Sequence, residues 1–185
     1  MKVIIAYDNG AMKIFDKQFL RTQKSYILQS LYAALFMFIT LVVLGSLAKE
    51  DILGAIGASA LAASTFLIFV APHSAMAQPR NIFGGYLIGM LCGACCHFAQ
   101  AQIDIIPSWL DHILYLNRAL YGAIAIGLAT FLMSILDAEH PPAAGLTLGL
   151  VLENWNSNIL GVVLCGLCFL ALFRHIRAKQ LSDLL

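Results

Sequence analysis

The stretch that decides the fold is Asp137-Ala138-Glu139-His140-Pro141-Pro142-Ala143-Ala144-Gly145-Leu146-Thr147-Leu148-Gly149-Leu150-Val151-Leu152. It is apolar for only 13 residues, from His140 to Leu152, and polar on both flanks: Asp137 and Glu139 on one side, Glu153-Asn154-Trp155-Asn156-Ser157-Asn158 on the other. Coiled as a helix it covers about 20 Å, some 10 Å short of a hydrocarbon layer of roughly 30 Å. The paired prolines fix where the helix starts, because proline suits the first turn, where its missing N–H costs nothing. The segment therefore reads as a half-helix, with the rest of its path made by non-helical chain shielded inside protein.

Working outward, the neighbouring segments are long enough to cross. Spans are expected from about Tyr26 to Leu47, Ile52 to Ala71, Ile82 to Ala101, Arg118 to Leu136 and Ile159 to Phe173. The trio Lys49, Glu50, Asp51 ends the first and Pro72 stops the second. Residues 102–117, with Asp104, Pro107, Trp109, Asp111 and His112, read as an interfacial loop with aromatic anchors. The whole chain agrees: 61% of its 185 residues are hydrophobic and 11% charged, with a mean hydropathy of +0.84. That is less than half the charge of an ordinary soluble domain (about 25%), so the solvent must be lipid. The fold class is an all-α polytopic transmembrane bundle of about six segments, one of them broken.

Charge placement sets a topology. Lys2, Lys13, Lys17, Arg21 and Lys24 crowd the start, and Arg174, Arg177 and Lys179 the tail. Six crossings put both ends and Arg80 on the cytoplasmic side, as the positive-inside rule requires. Four crossings with two re-entrant segments would also satisfy it. The expected organisation is a basic cytoplasmic segment over 1–25, a transmembrane domain over 26–174 and a basic cytoplasmic tail over 175–185, in a bacterial inner membrane. The stretch around Ile14, Phe15, Phe19 and Leu20 either lies amphipathically on the inner surface or is a basic extension without fixed structure. A net charge of +1 argues against a nucleic-acid partner.

An internal duplication is also legible. Cys92-Gly93-Ala94-Cys95 recurs as Cys165-Gly166-Leu167-Cys168. Three crossings per half would make the halves inverted. A rival self-match sets Gly57-Ala58 and Thr65-Phe66-Leu67 against Gly122-Ala123 and Thr130-Phe131-Leu132; the first match is preferred because it also pairs the short segments. The glycines at 85, 89 and 93, and at 145 and 149, form ridges for close helix approach. The cysteines sit in apolar spans as small packing residues, so no cofactor or metal is expected. No nucleophile–base set or phosphate-cradling loop is visible, so an enzyme is not expected either.

Two constellations carry chemistry. The first is Asp137 to Gly145, where the helix start at Pro141 and Pro142 would present a partial positive charge at membrane depth, flanked by titratable His140 and Asp137. The second is Ala71-Pro72-His73-Ser74-Ala75-Met76-Ala77-Gln78-Pro79-Arg80-Asn81, in which Arg80 is either a surface anchor or a forked donor for an oxyanion. The topology places both at one face of the membrane.

Together these motifs resemble the HPP family of integral membrane proteins, whose signature stands here as His140-Pro141-Pro142. The resemblance includes Gly57-Ala58-Ser59-Ala60 and Ala77-Gln78-Pro79-Arg80-Asn81 followed by Gly84-Gly85, with Tyr86 where that family often carries a histidine. It implies a membrane protein handling a small anion, some plant members being linked to nitrite. The expectation is a transporter or channel for a small inorganic anion such as nitrite, with His140, Pro141, Pro142, Arg80, Gln78, Asn81, Ser59 and Asp137 as candidate site. The alternative is a non-transporting scaffold or regulatory subunit acting through helix packing. A homo-oligomer fits a chain with so few helices.

Overall fold

The computed structural model describes residues 17–48, 52–101 and 111–184, with the side chains of 17–22, 47–48 and 111–115 outside that description. The helices are α1 (Lys17–Ala48), α2 (Ile52–Val70), α3 (Pro79–Ala101), α4 (Asp111–Ile135), α5 (Pro141–Leu152) and α6 (Ser157–Arg177), with one 3-10 turn, Ala75–Ala77, between α2 and α3. Five of the six are long and apolar enough to cross a membrane; α5, at 12 residues, is not. The expected trio Lys49, Glu50, Asp51, the loop residues Asp104, Pro107 and Trp109, and Ile14 and Phe15 lie outside the described residues. Several boundaries differ from expectation: α3 starts at Pro79 rather than Ile82, α6 runs from Ser157 to Arg177 rather than from Ile159 to Phe173, and the two largest differences are N-terminal. Helix α1 starts at Lys17 and α4 at Asp111. A largely polar stretch continues α1 beyond its apolar run, because backbone bonding propagates past the point where hydropathy fades, whereas α4 takes in the apolar Ile113, Leu114 and Leu116 that the sequence assigns to the loop.

The short helix is completed as the polar flanks imply. Chain 138–140 is non-helical and enters the bundle before α5 begins. His140 sits beside Gly85, six residues into α3, and bonds Ser64, six residues before the end of α2. Both spacings put it about 9 Å below the helix ends. Helix α5 then adds about 18 Å along the bundle. Past its end Trp155 stacks on Phe98, with ring centroids 5.5 Å apart, and the Asn156 side chain accepts from the amides of Asn158 and Ile159 to cap α6.

The helices lie in two layers. In front, α1, α2, α5 and α4 are neighbours in that order; behind, α6 packs on α1 and α2, α3 packs on α5 and α4, and α3 touches α6. Exchanging α1 with α4, α2 with α5 and α3 with α6 maps this neighbour pattern onto itself. The start of α1, the end of α2 and the start of α3 share an end with the end of α4, the start of α5 and the end of α6. Counterpart helices therefore run in opposite directions, which is the arrangement of an inverted three-plus-three repeat. The cysteine tetrads occupy matching places: a Cβ on Gly93 would meet Thr147 and Leu150 of α5, and one on Gly166 would meet Leu61 of α2.

Close approach is concentrated between α3 and α5. A Cβ on Gly85 would lie 2.5 Å from the His140 Cβ, and one on Gly89 2.5 Å from Thr147 Oγ1 and 3.1 Å from the Ala143 carbonyl. Without side chains at 85, 89 and 93 the backbones can touch, and dispersion across that contact replaces the hydrophobic drive that lipid cannot supply. By contrast Gly127 and Gly161 face open space. Alanine at either is expected to be neutral or to stabilise by up to about 1 kcal/mol, through helix propensity alone, in chemical-denaturation midpoints.

Candidate functional site

His140 caps α5 with its ring wholly buried, at 0% exposure. Its Nδ1 lies 2.9 Å from the Met76 carbonyl, and its Nε2 2.9 Å from Ser64 Oγ. Ser64 Oγ also lies 3.0 Å from the Tyr86 hydroxyl and 3.0 Å from the Ala60 carbonyl one turn back. The Tyr86 ring packs on the imidazole, centroids 5.3 Å apart. Four elements thus meet here: α2 through Ser64, the 3-10 turn through Met76, α3 through Tyr86, and the start of α5.

The carbonyl fixes the tautomer, since a carbonyl oxygen can only accept. Nδ1 therefore carries hydrogen, and in the neutral ring Nε2 accepts from the Ser64 hydroxyl, which in turn accepts from Tyr86. When the ring gains a proton, Nε2–H donates to Ser64 Oγ, and the Ser64 hydrogen turns to the waiting Ala60 carbonyl. Tyr86 still donates to Ser64. The cluster satisfies every donor in both states by rotating one hydroxyl, with no heavy atom displaced.

The backbone at the start of α5 is less open than the sequence suggests. A helix start ordinarily leaves its first N–H groups free for an anion. Here Pro141 and Pro142 have none, and the Ala143 amide bonds the His140 carbonyl at 2.9 Å. The end therefore acts on its surroundings mainly through its dipole. Pro142 is buried and Pro141 exposed.

The loop constellation does converge on the broken helix, in two tiers. Asn81, buried at 5% exposure, donates Nδ2 to the Glu139 carbonyl at 3.3 Å, pinning the non-helical segment from the α3 side. Arg80 stays at the surface: it donates to the Leu136 carbonyl at 3.1 Å and pairs with Asp137 at 3.3 Å, the two side chains 67% and 79% exposed. Asp137 itself holds a φ of 51°, the left-handed turn that swings the chain inward after α4, and aspartate tolerates that region better than most residues. Such an exposed pair contributes little, so Arg80→Ala is expected to move thermal stability by less than about 0.5 kcal/mol. Gln78 is exposed on the same surface. Ser59 lies apart, exposed on α2 and bonded back to the Ala55 carbonyl at 2.9 Å, and does not reach His140.

Ser64 and Met76 were not legible as site residues. Ser64 is a hydroxyl in the bulky half of an apolar span, and Met76 contributes only a backbone oxygen. The available signal was Ser64 being polar at membrane depth, where polar groups need a partner.

The fold and the site define a polytopic all-helical membrane protein organised around a broken helix with a buried histidine at its start. The family model described as HPP, transmembrane region, matches residues 21–179, and the chain belongs to that family. It is also similar to a transmembrane protein of Dictyostelium discoideum, 28% identical over 98 residues that make up 51% of this chain and 30% of that protein. The matched region thus spans less than a third of that relative's length. No solved structure matches the chain.

Proposed function

We propose that this membrane protein is a transporter or channel for a small inorganic anion, with nitrite as the substrate to test first. The observation that carries the reading is the His140 cluster: a titratable ring buried beside non-helical backbone at membrane depth, with partners suited to both of its protonation states. Broken helices that begin inside a bundle are where transporters build sites, because backbone and dipole are then aimed at the pathway.

On this reading Arg80 and Gln78 form the outer tier that recruits an anion at the surface, while His140, with Ser64 and Tyr86, takes up or releases a proton as the anion passes. Asn81 and the two prolines hold the geometry. The test is nitrite uptake into proteoliposomes under an imposed pH gradient. Uptake should exceed that of protein-free vesicles, fall at least ten-fold in His140→Ala, and fall more modestly in Arg80→Ala. Unchanged uptake in both variants sinks the assigned site, and no uptake by the unaltered protein sinks the transport reading.

A second reading, a scaffold or regulatory subunit, draws on the front layer. There Ala55, Ser59 and Ala63 of α2 and Pro141 and Gly145 of α5 are exposed, a small-residue surface of the kind on which membrane helices associate. Bulky substitution at Ala63 or Gly145 should then abolish association in cross-linking without touching uptake.

A further inference from the structure

Beyond α6 the chain turns back. Through residues 178–184 it leaves helix, and Leu181 and Leu184 are buried at 6% and 7% exposure. The segment is stitched to three other elements. The Leu184 amide donates to the Val70 carbonyl at 2.8 Å, and the Tyr26 hydroxyl donates to the Leu184 carbonyl at 2.7 Å. Gln29 of α1, 2% exposed, donates Nε2 to the Phe69 and Ser182 carbonyls, and its Oε1 accepts from the Ser182 amide and hydroxyl, both at 3.2 Å. Asp183 Oδ1 lies 3.1 Å from the His73 amide and 3.2 Å from His73 Nδ1. Just before the segment, Arg174 at the end of α6 puts Nε and Nη2 on the Pro72 carbonyl at 3.2 and 3.0 Å.

These bonds take the carbonyls of Phe69, Val70 and Pro72, where α2 ends and its own backbone donors run out. They also seize the α2–α3 connection at Pro72 and His73. Three residues further on, that same connection presents the Met76 carbonyl to His140. The segment, the connection and the broken helix are therefore linked in series through Asp183–His73 and Met76–His140. We infer that residues 178–184 are a strap that locks the α2–α3 connection against His140, and that its release frees this end of the bundle to move. This goes beyond the transport reading and does not depend on it: the lock is a mechanical property of the fold, whatever crosses.

The exposed Asp183–His73 link is the place to cut, because the core beneath is untouched. Hydrogen–deuterium exchange on the full chain in nanodiscs reads the outcome directly, since the His73 amide is itself one of the bonded donors. In Asp183→Ala, amides of residues 73–78 and of the non-helical segment 138–140 should exchange about five-fold faster, with α4 peptides over 119–130 unchanged. Leu184→Asp, which expels the strap by charging its buried foot, should give the same pattern more strongly. Faster exchange confined to 178–184 in both variants, or no change in either, overturns the lock. If Leu184→Asp loosens the whole bundle, Asp183→Ala alone decides. Because exchange needs no substrate, a protein that carries no nitrite can still confirm the strap, and one that carries it can still refute it.

Discussion

Gly89→Val is expected to be the most damaging single substitution in the chain, costing about 3 kcal/mol or more and leaving little monodisperse protein. The added Cβ alone would sit 2.5 Å from Thr147 Oγ1 and 3.1 Å from the Ala143 carbonyl. Thr147 is fully buried and donates to that same carbonyl at 3.0 Å, so moving its hydroxyl aside would break that bond. The only relief is to push α5 off α3, and that displacement would draw His140 away from Ser64 and Met76. Gly85→Val should behave alike, since its Cβ meets the His140 Cβ at 2.5 Å. Size-exclusion profiles and thermal melting in detergent check this, with Gly127→Ala as the tolerated control. A Gly89→Val protein that melts within a few degrees of the unaltered one would show that α5 is not held by close packing.

The second large effect is expected at His140. Removing the ring in His140→Ala leaves the Met76 carbonyl without its donor, Ser64 with one fewer partner, and a hole under Tyr86. Buried polar groups left unpaired cost about 1–3 kcal/mol each, so a total loss near 3 kcal/mol is expected, together with the loss of uptake. Two replacements separate structure from proton chemistry. In His140→Asn the side-chain amide can still donate to Met76 from the Nδ1 position. It should recover most of the stability but none of the pH-gradient-driven uptake, because an amide does not titrate. In Ser64→Ala the Met76 bond survives while His140 Nε2 and the buried Tyr86 hydroxyl each lose a partner; a loss of about 2 kcal/mol or more is expected, again with reduced uptake. If His140→Asn transports normally under a gradient, His140 orients the chain and does not carry a proton.

Much of the architecture was legible because lipid simplifies the problem. With no water at depth, every backbone group must be bonded internally, so an apolar run of 20 residues has almost no choice but helix. The limits of α2, α3 and α5 follow to within a few residues from Pro72, Pro79 and Pro141, which cannot donate inside a helix. The shortness of α5 was visible for the same reason, and the non-helical chain at 138–140 is its direct consequence. The glycines at 85, 89 and 93 could be read as a ridge, though not which helix would lie on it.

The site was legible only in part. His140 announces itself, being titratable inside an apolar region, and so does Asn81, but their partners belong to other helices and to backbone oxygens. Arg80 offered two readings in the sequence, buried fork or surface anchor. The choice fell to geometry, because Asp137 and the Leu136 carbonyl stand within its reach at the surface. The strap was not visible at all: Leu181-Ser182-Asp183-Leu184 is a short mixed stretch, two polar residues between two leucines, whose partners lie about 110 to 158 positions away.

The stretch from Asp137 to Leu152 marks the division. By itself the sequence determined that this segment is too short to cross, that its helix begins at Pro141, and that non-helical chain must complete the path, since those follow from residue count, proline stereochemistry and the polarity of the flanks. Only the tertiary structure decided that the two prolines and the Ala143–His140 bond leave the helix start few open amides, and that Ser64, Tyr86 and Met76 surround the ring. It alone showed the connection beside it tied down by residues 178–184. Local sequence sets which bonds a segment cannot make for itself, and the packing of distant segments decides which groups make them.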